Sequence, residues 1–192
     1  QIHPELGTSG IPDKTIDPVT AAMKDTLTKA NGHPSHEEAL AALQNITAPT
    51  KGPLRARYFN LLAARYIGVD QPKEGLEAYK KAYDVASKNY YGRKFASTAI
   101  SHNMKTNEAL DIIANVIENQ QHQQYNPTDP YRNHKSWLKW KKRNMATDLF
   151  LQGWLLRNNG QLATSTEKIE KSILLTKEPS GNQYGLLGLN LL

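Results

Sequence analysis

The stretch GLEAYKKAY, Gly75 to Tyr83, places a glycine, a tyrosine and an alanine at positions 75, 79 and 82. Residues three and four apart share one side of an α-helix, so these three make a single face with small residues flanking a large ring. A small side chain lets a second backbone come close, which makes this face a contact with another helix. That helix lies just upstream. Phe59, Leu62, Ala63 and Tyr66 follow the same spacing, and GVDQPK, residues 68–73, supplies the turn between the two. The unit is a helical hairpin with small residues at its seam.

The hairpin recurs along the chain. With Ala56 as first position, a following unit opens at Tyr90, placing Ser97 and Ile100 in its first helix and Ala109, Ile113 and Val116 in its second. A unit opening at Ala146 supplies Leu149, Gly153 and Leu156, a turn at Gly160, then Ser165, Ile169 and Ser172. A weaker copy holds Met23, Ala30, Ala39, Leu43 and Ile46 and reads as a capping repeat. These residues resemble the tetratricopeptide repeat, whose period is about 34 residues. The resemblance covers about four units between Thr20 and Pro179, with roughly 22 extra residues after Glu118 on that period. It departs at the closing proline, whose place holds Ser87, Gln121 and Lys177, and at Arg93, where a large apolar residue is expected. The fold it implies is an all-α, right-handed helical-hairpin solenoid (TPR-like) of about four repeat units with an insertion before the last. Each pair of helices is unable to bury its apolar stripe alone, and stacking the pairs yields one continuous core.

Around the repeat domain, residues 20–180 with its insertion at about 120–141, lie two further segments. Residues 1–19 contain Pro4, Pro12 and Pro18 and are expected to form an extended arm, in which Asp17 followed by Pro18 marks an N-cap and a first helical position. Residues 181–192 end in YGLLGLNLL, an apolar tail too glycine-rich to read as a helix, expected either to cap the last unit or to continue as a linker. No run approaches the roughly 18 apolar residues of a membrane-spanning helix. The chain opens on Gln1, which points to a processed product or a fragment and favours an exported setting, periplasmic or secreted, over a cytoplasmic one, with the compartment and the oligomeric state left open.

The 192 residues include no cysteine, so disulfides, thiolate nucleophiles and cysteine-ligated metals are excluded. Nucleophile-elbow, metalloprotease and phosphate-binding glycine motifs are absent from the sequence. His33 and His36 lie in a proline-containing loop without a third ligand nearby, and are expected to be loop histidines rather than a metal site. No catalytic residue, metal or cofactor is assigned; the chain is read as a non-enzyme.

Binding is the remaining class. The resemblance implies a peptide-binding concave face made by the first helices, to which the matching positions contribute Asn60 and Ala64, then Lys94, Thr98 and Ser101, then Phe150, Trp154 and Arg157. The two-carboxylate clamp of the chaperone-tail members places Lys and Asn where this chain has Asn60 and Ala64, so that activity is not implied. A protein or peptide partner is expected, with an acidic group near Lys94 or Arg157 and an apolar anchor at Trp154. The alternative is nucleic acid or another polyanion. Residues 90–145 carry nine Lys and Arg against four Asp and Glu, five of the six net positive charges. Their insertion joins Tyr125, Tyr131, Trp137 and Trp140 to a basic patch of Arg132, Lys135, Lys139, Lys141, Lys142 and Arg143. Aromatic planes beside cations bind single strands by stacking and phosphate contact. The simpler reading takes Trp137 and Trp140, three apart, as one face of a helix that lengthens the last unit, with the lysines on its solvated side.

Overall fold

The computed structural model describes residues 17–128 and 133–191. Residues 1–16 of the expected arm, and Tyr131 and Arg132 of the insertion, lie outside the described residues. The described chain folds as helices α1 (Pro18–Asn31), α2 (His36–Gln44), α3 (Gly52–Gly68), α4 (Pro72–Ala86), α5 (Asn89–His102), α6 (Thr106–His122), α7 (His134–Asn158), α8 (Leu162–Leu175) and α9 (Gly181–Asn190). Among the described residues there is no strand. Consecutive helices pack as hairpins α1/α2, α3/α4, α5/α6 and α7/α8, and first helices also touch across units, α1 with α3 and α5 with α7. The result is an all-α solenoid whose core runs from Leu27 in α1 to Leu155 in α7.

Local sequence explains where several helices begin and end. Asp17 caps α1, its carboxylate accepting the backbone N–H of Thr20 at 3.0 Å, with Pro18 at the first helical position, whose missing N–H costs nothing there. Ser35 caps α2 by accepting from the Glu38 N–H, so His36 is the first helical residue of α2 rather than a loop residue. Where the closing proline is missing, Ser87 ends α4 by turning left-handed at φ 46°, and Gln121 lies inside α6, which runs on to His122.

The second helices of the last three hairpins keep a strict register. Their fourth residues are Gly75, Ala109 and Ser165, followed at matching intervals by Tyr79, Ile113 and Ile169, then by Ala82, Val116 and Ser172, and all nine are buried. A Cβ built on Gly75 would lie 2.5 Å from Ile67 Cδ1 and 3.2 Å from the Ala63 carbonyl oxygen, so the partner brought close by the small residue is α3 of the same hairpin. Burial pushes the Tyr79 phenol above its ordinary pKa.

The hairpin turns repeat as well. The N–H groups of Gln71, Met104 and Gln161 donate to the carbonyls of Tyr66, Ala99 and Leu156, across Asp70, Asn103 and Gly160, which have φ of 56°, 50° and 76°. This is the left-handed helix ending that glycine and asparagine favour. Measured from this turn, the small core residues of the first helices are Ala63, Ala96 and Gly153, all buried, while Ser97 is exposed. The expectation of Ser97 in that slot is off by one residue. The cause is an extra turn residue, Lys105, also left-handed at φ 50°, which shifts α5 against α6 within an otherwise constant period.

The other departure, Arg93, makes a buried ion pair. Its guanidinium donates to the Asp148 carboxylate at 2.5 and 2.8 Å and to Gln120 Oε1 at 3.2 Å, joining α5, α6 and α7. The Asp148 side chain is fully buried and that of Arg93 is 18% exposed. Burial lifts the Asp148 carboxyl above the usual carboxylate range, opposed by the hydrogen bonds and charge of Arg93.

The tail differs from its expected form. α9 is a helix despite three glycines, because Ser180 and Gln183 form a reciprocal capping box and two amides anchor it to α8. Gln183 donates to Ser172 Oγ at 2.8 Å and Asn190 to Ser165 Oγ at 2.7 Å. Those two serines in turn donate to the Ala146 and Gly153 carbonyls of α7, each at 2.7 Å. Tertiary hydrogen bonds here override weak helix propensity.

Gly75→Leu is expected to overpack the α3/α4 seam and cost about 1–3 kcal/mol in urea unfolding; an unchanged midpoint would place the seam elsewhere. Asp148→Ala leaves Arg93 without its anion in a largely buried site and is expected to cost about 3–5 kcal/mol, whereas the paired change Arg93→Met with Asp148→Leu costs less. Additive losses in that cycle would show that the two side chains act independently.

Candidate functional site

The hairpin turn provides a common origin for the predicted groove. Asn60, Ala64 and Ile67 of α3 stand at the same offsets from it as Arg93, Ser97 and Ile100 of α5 and Phe150, Trp154 and Arg157 of α7. Lys94, Thr98 and Ser101 each stand one residue later, roughly 100° further round α5. Lys94 is exposed, with its ammonium 5.8 Å from the Tyr90 ring centroid, Thr98 is half-buried, and exposed Ser101 donates back to the Ser97 carbonyl at 3.0 Å. On α3, Asn60 Oδ1 is enclosed without a donor among the described residues. On α7, the half-buried rings of Phe150 and Trp154 meet edge to face at 5.5 Å and 70°. Arg157 follows a turn later, half-buried and in no ion pair among the described residues.

The insertion folds back on itself. α7 is one helix of 25 residues, so its first three turns lengthen the last unit as the spacing of the tryptophans predicts. Trp137 is buried against Tyr125 at 5.7 Å and His134 at 6.1 Å, the latter pair nearly parallel at 14°. Lys141 lies 5.1 Å from the Trp137 centroid and donates to the carbonyls of Gln121 and Gln123 at 2.9 and 2.8 Å, tying α7 to the end of α6. Tyr125, Trp137 and Lys141 are thus engaged within the insertion.

The rest of the basic patch is differently placed. Lys135, Lys139, Lys142 and Arg143 are exposed and enter no ion pair among the described residues. Lys139 has like charges three and four residues on, an arrangement that weakens a helix by about 0.2–0.5 kcal/mol per pair unless an anion offsets it. Lys139, Lys142 and Arg143 border an open cavity of about 800 Å³ whose α7 wall continues through Ala146 and Thr147 to Phe150. The opposite wall comes from Leu175 to Glu178, between α8 and α9, and from Ser180 and Gln183. The structure therefore brings Phe150 of the predicted groove and three residues of the predicted basic patch to one place. Lys177, Leu175 and Gln183 were not legible as partners of that place. The α7 stripe at helical spacing from Lys139 to Phe150 was a usable signal, while the facing wall needs α9, which its glycines disguised.

A second cavity of about 360 Å³ lies between α6, α7 and α8, lined by Glu118, Gln121, Gln152 and Lys168 among others. Among the described residues no three His, Asp or Glu side chains gather as for a metal ion. His33 lies in the turn before α2, and His36 Nδ1 is 2.9 Å from an Arg65 guanidinium nitrogen. No helix among the described residues is long and apolar enough to cross a membrane. The chemistry on offer is recognition by rings, cations and an apolar recess.

Hairpins stacked in register, with repeated turns and small seam residues, define a TPR-like helical repeat fold. Two solved structures share it, described as the putative kinesin light chain nearly identical TPR-like repeats of Podosopora anserina and a point-substituted form of the same protein. Each is 14% identical, covers 88% of this chain and 84% of its own, and superposes with TM-scores of 0.55 and 0.56 respectively. No family model and no curated protein matches the sequence.

Lys141→Met keeps the aliphatic stem and removes the donors that hold the insertion. Faster amide exchange is expected at the end of α6 and in the first turns of α7, with exchange in α3 and α4 unchanged. Wild-type rates throughout would show that the aromatic cluster alone secures the extension.

Proposed function

We propose that the chain is a non-catalytic scaffold that binds a protein partner through an extended peptide lying along the concave face of the solenoid. The observation that carries this reading is the half-buried Phe150–Trp154 pair with Arg157, which enters no ion pair among the described residues, on the first helix of the last unit, a combination of ring and cation typical of binding hot spots. The fold shared with TPR-like repeats supports it in the same direction. In this reading Trp154 is the apolar anchor, Arg157 and Lys94 meet acidic groups, and Thr98, Ser101 and Asn60 border the path. The α5 residues at the matching offset, Ser97 and Ile100, join them.

The alternative, a polyanion surface on the insertion, retains four exposed cations in Lys135, Lys139, Lys142 and Arg143. It loses much of its stacking platform, since Tyr125 and Trp137 pack on each other and on His134. Binding to RNA or DNA at low salt that falls steeply with added salt would favour it.

A displayed library of random peptides, selected on the full chain, tests the groove. Selected peptides are expected to carry an apolar side chain and to lose about tenfold or more in affinity, at least 1.4 kcal/mol, on Trp154→Ala. Arg157→Ala should weaken those with an acidic residue. Failure to select any peptide, or equal binding to both variants, overturns the proposal.

A further inference from the structure

One face of α7 changes character along its length. Lys139, Lys142 and Arg143 stand three and four residues apart, and the same line continues through Ala146 to Phe150. Across the cavity, Leu175 repeats the apolar surface and Lys177 the cation, with Glu178 as the sole carboxylate on the lining among the described residues. Elsewhere in the chain, Lys29, Lys80, Lys105 and Lys171 pair with acidic neighbours. Lys139, Lys142, Arg143 and Lys177 do not, among the described residues.

The neutral polar groups on the lining are already used. Thr147 donates to the Arg143 carbonyl, Thr176 to the Ser172 carbonyl, and Ser180 and Gln183 bond each other while Gln183 also donates to Ser172 and Thr176. A peptide laid in this cavity could give its C=O groups to the cations, but its backbone N–H groups, costly to leave unpaired, would meet a lining on which Glu178 is the one carboxylate among the described residues. A guest with an apolar body and one charged head meets no such demand. The volume, about 800 Å³, falls within the roughly 300–1,000 Å³ of small-molecule sites. The smaller cavity has a mixed polar lining with Glu118 beside its lysines, and Lys171 there is paired with Glu167.

We propose that the cavity between α7 and the α8–α9 connection binds a small anionic amphiphile. Its apolar body lies on Ala146, Phe150 and Leu175, and its carboxylate or phosphate head lies against Lys142, Arg143 and Lys177. The first turn of α9, bordering the cavity through Ser180 and Gln183, adds the positive end of its dipole. This site shares Phe150 with the peptide path and is otherwise separate from it.

Isothermal titration of the full chain with dodecanoate and with dodecyl phosphate, both below their aggregation thresholds, tests the site and separates the two head groups. Dodecanol and dodecyltrimethylammonium serve as neutral and cationic controls. At least one of the anions is expected to bind with a Kd on the order of micromolar, and neither control to do so. The double change Lys142→Glu with Arg143→Glu should weaken binding tenfold or more by reversing the charge, and Thr147→Trp should do so by filling the space. All three residues are exposed, so both variants are expected to keep the wild-type melting temperature. Arg157→Ala, which bears on the peptide path, should leave amphiphile binding unchanged. Equal binding of dodecanol, anion binding indifferent to both variants, or no binding of either anion would overturn the proposal. Each of those results leaves the peptide reading to its own test.

Discussion

The close approach of paired helices at the fourth residue of each second helix is the constraint from which the rest follows. Gly75, Ala109 and Ser165 occupy that position, and at Gly75 a larger side chain would meet the first helix of its own hairpin. Ile67 faces Gly75, and on the α7 side of the last hairpin Gly153 lies against Ile169 and the Ser165 carbonyl. With the backbones held this near, the residues four and seven places later, from Tyr79 and Ala82 to Ile169 and Ser172, must fill or vacate a fixed volume. The left-handed turns at Asp70, Asn103 and Gly160 then return the chain, with Lys105 adding one residue to the middle turn. Repetition of the hairpin is a consequence of repeating this contact, and the solenoid is a consequence of repeating the hairpin.

The last unit solves the same packing problem with polar atoms. Ser165 and Ser172 replace the small apolar residues of earlier units, and each hydroxyl donates to an α7 carbonyl that would otherwise keep one acceptor site unused. The serine oxygens then accept from Asn190 and Gln183, so α9 is seated by hydrogen bonds in addition to the burial of Leu186. Arg93 and Asp148 do the equivalent across the preceding junction. A buried ion pair of this kind adds little net stability against a well-packed apolar pair, and its geometric demand fixes how α5 meets α7. The region around the cavity is therefore held by directional bonds, which suits a site whose walls must keep their spacing.

The second helices of the last three hairpins were legible in the sequence because Tyr79, Ile113 and Ile169 follow the small residues Gly75, Ala109 and Ser165 at one interval, even where Ser165 and Ser172 stand for glycine and alanine. The first helix of the unit near Tyr90 was legible only to within one residue. Its slot is filled by Ala96 instead of Ser97 because Lys105 adds a residue to the turn, and a single fixed period has no means of showing an insertion that leaves the second helix in place. Asp17, Pro18 and the lengthened α7 followed from local chemistry. α9 did not, since it is tied by amide contacts with serines some 11 to 25 residues earlier and by burial of Leu186, tertiary facts invisible to propensity. The recess followed only in part, because one wall lies on α7 and the other depends on α9.

The two roles of the insertion are separated by angle around one helix. Trp137, Lys141 and Asp148 are spaced four and seven apart and share the side of α7 that meets the preceding unit, where they contact Tyr125, the end of α6 and Arg93. Lys139, Lys142, Arg143, Ala146 and Phe150 share the neighbouring side, which faces the α8–α9 connection. Adjacent residues on a helix differ by about 100°, so Lys141 and Lys142 serve different surfaces despite standing side by side in a run of basic residues. Anchoring one side leaves the other presented in a fixed direction. The cations of the second side therefore enter no ion pair among the described residues, and an anion arriving from outside is the partner that would relieve their mutual repulsion.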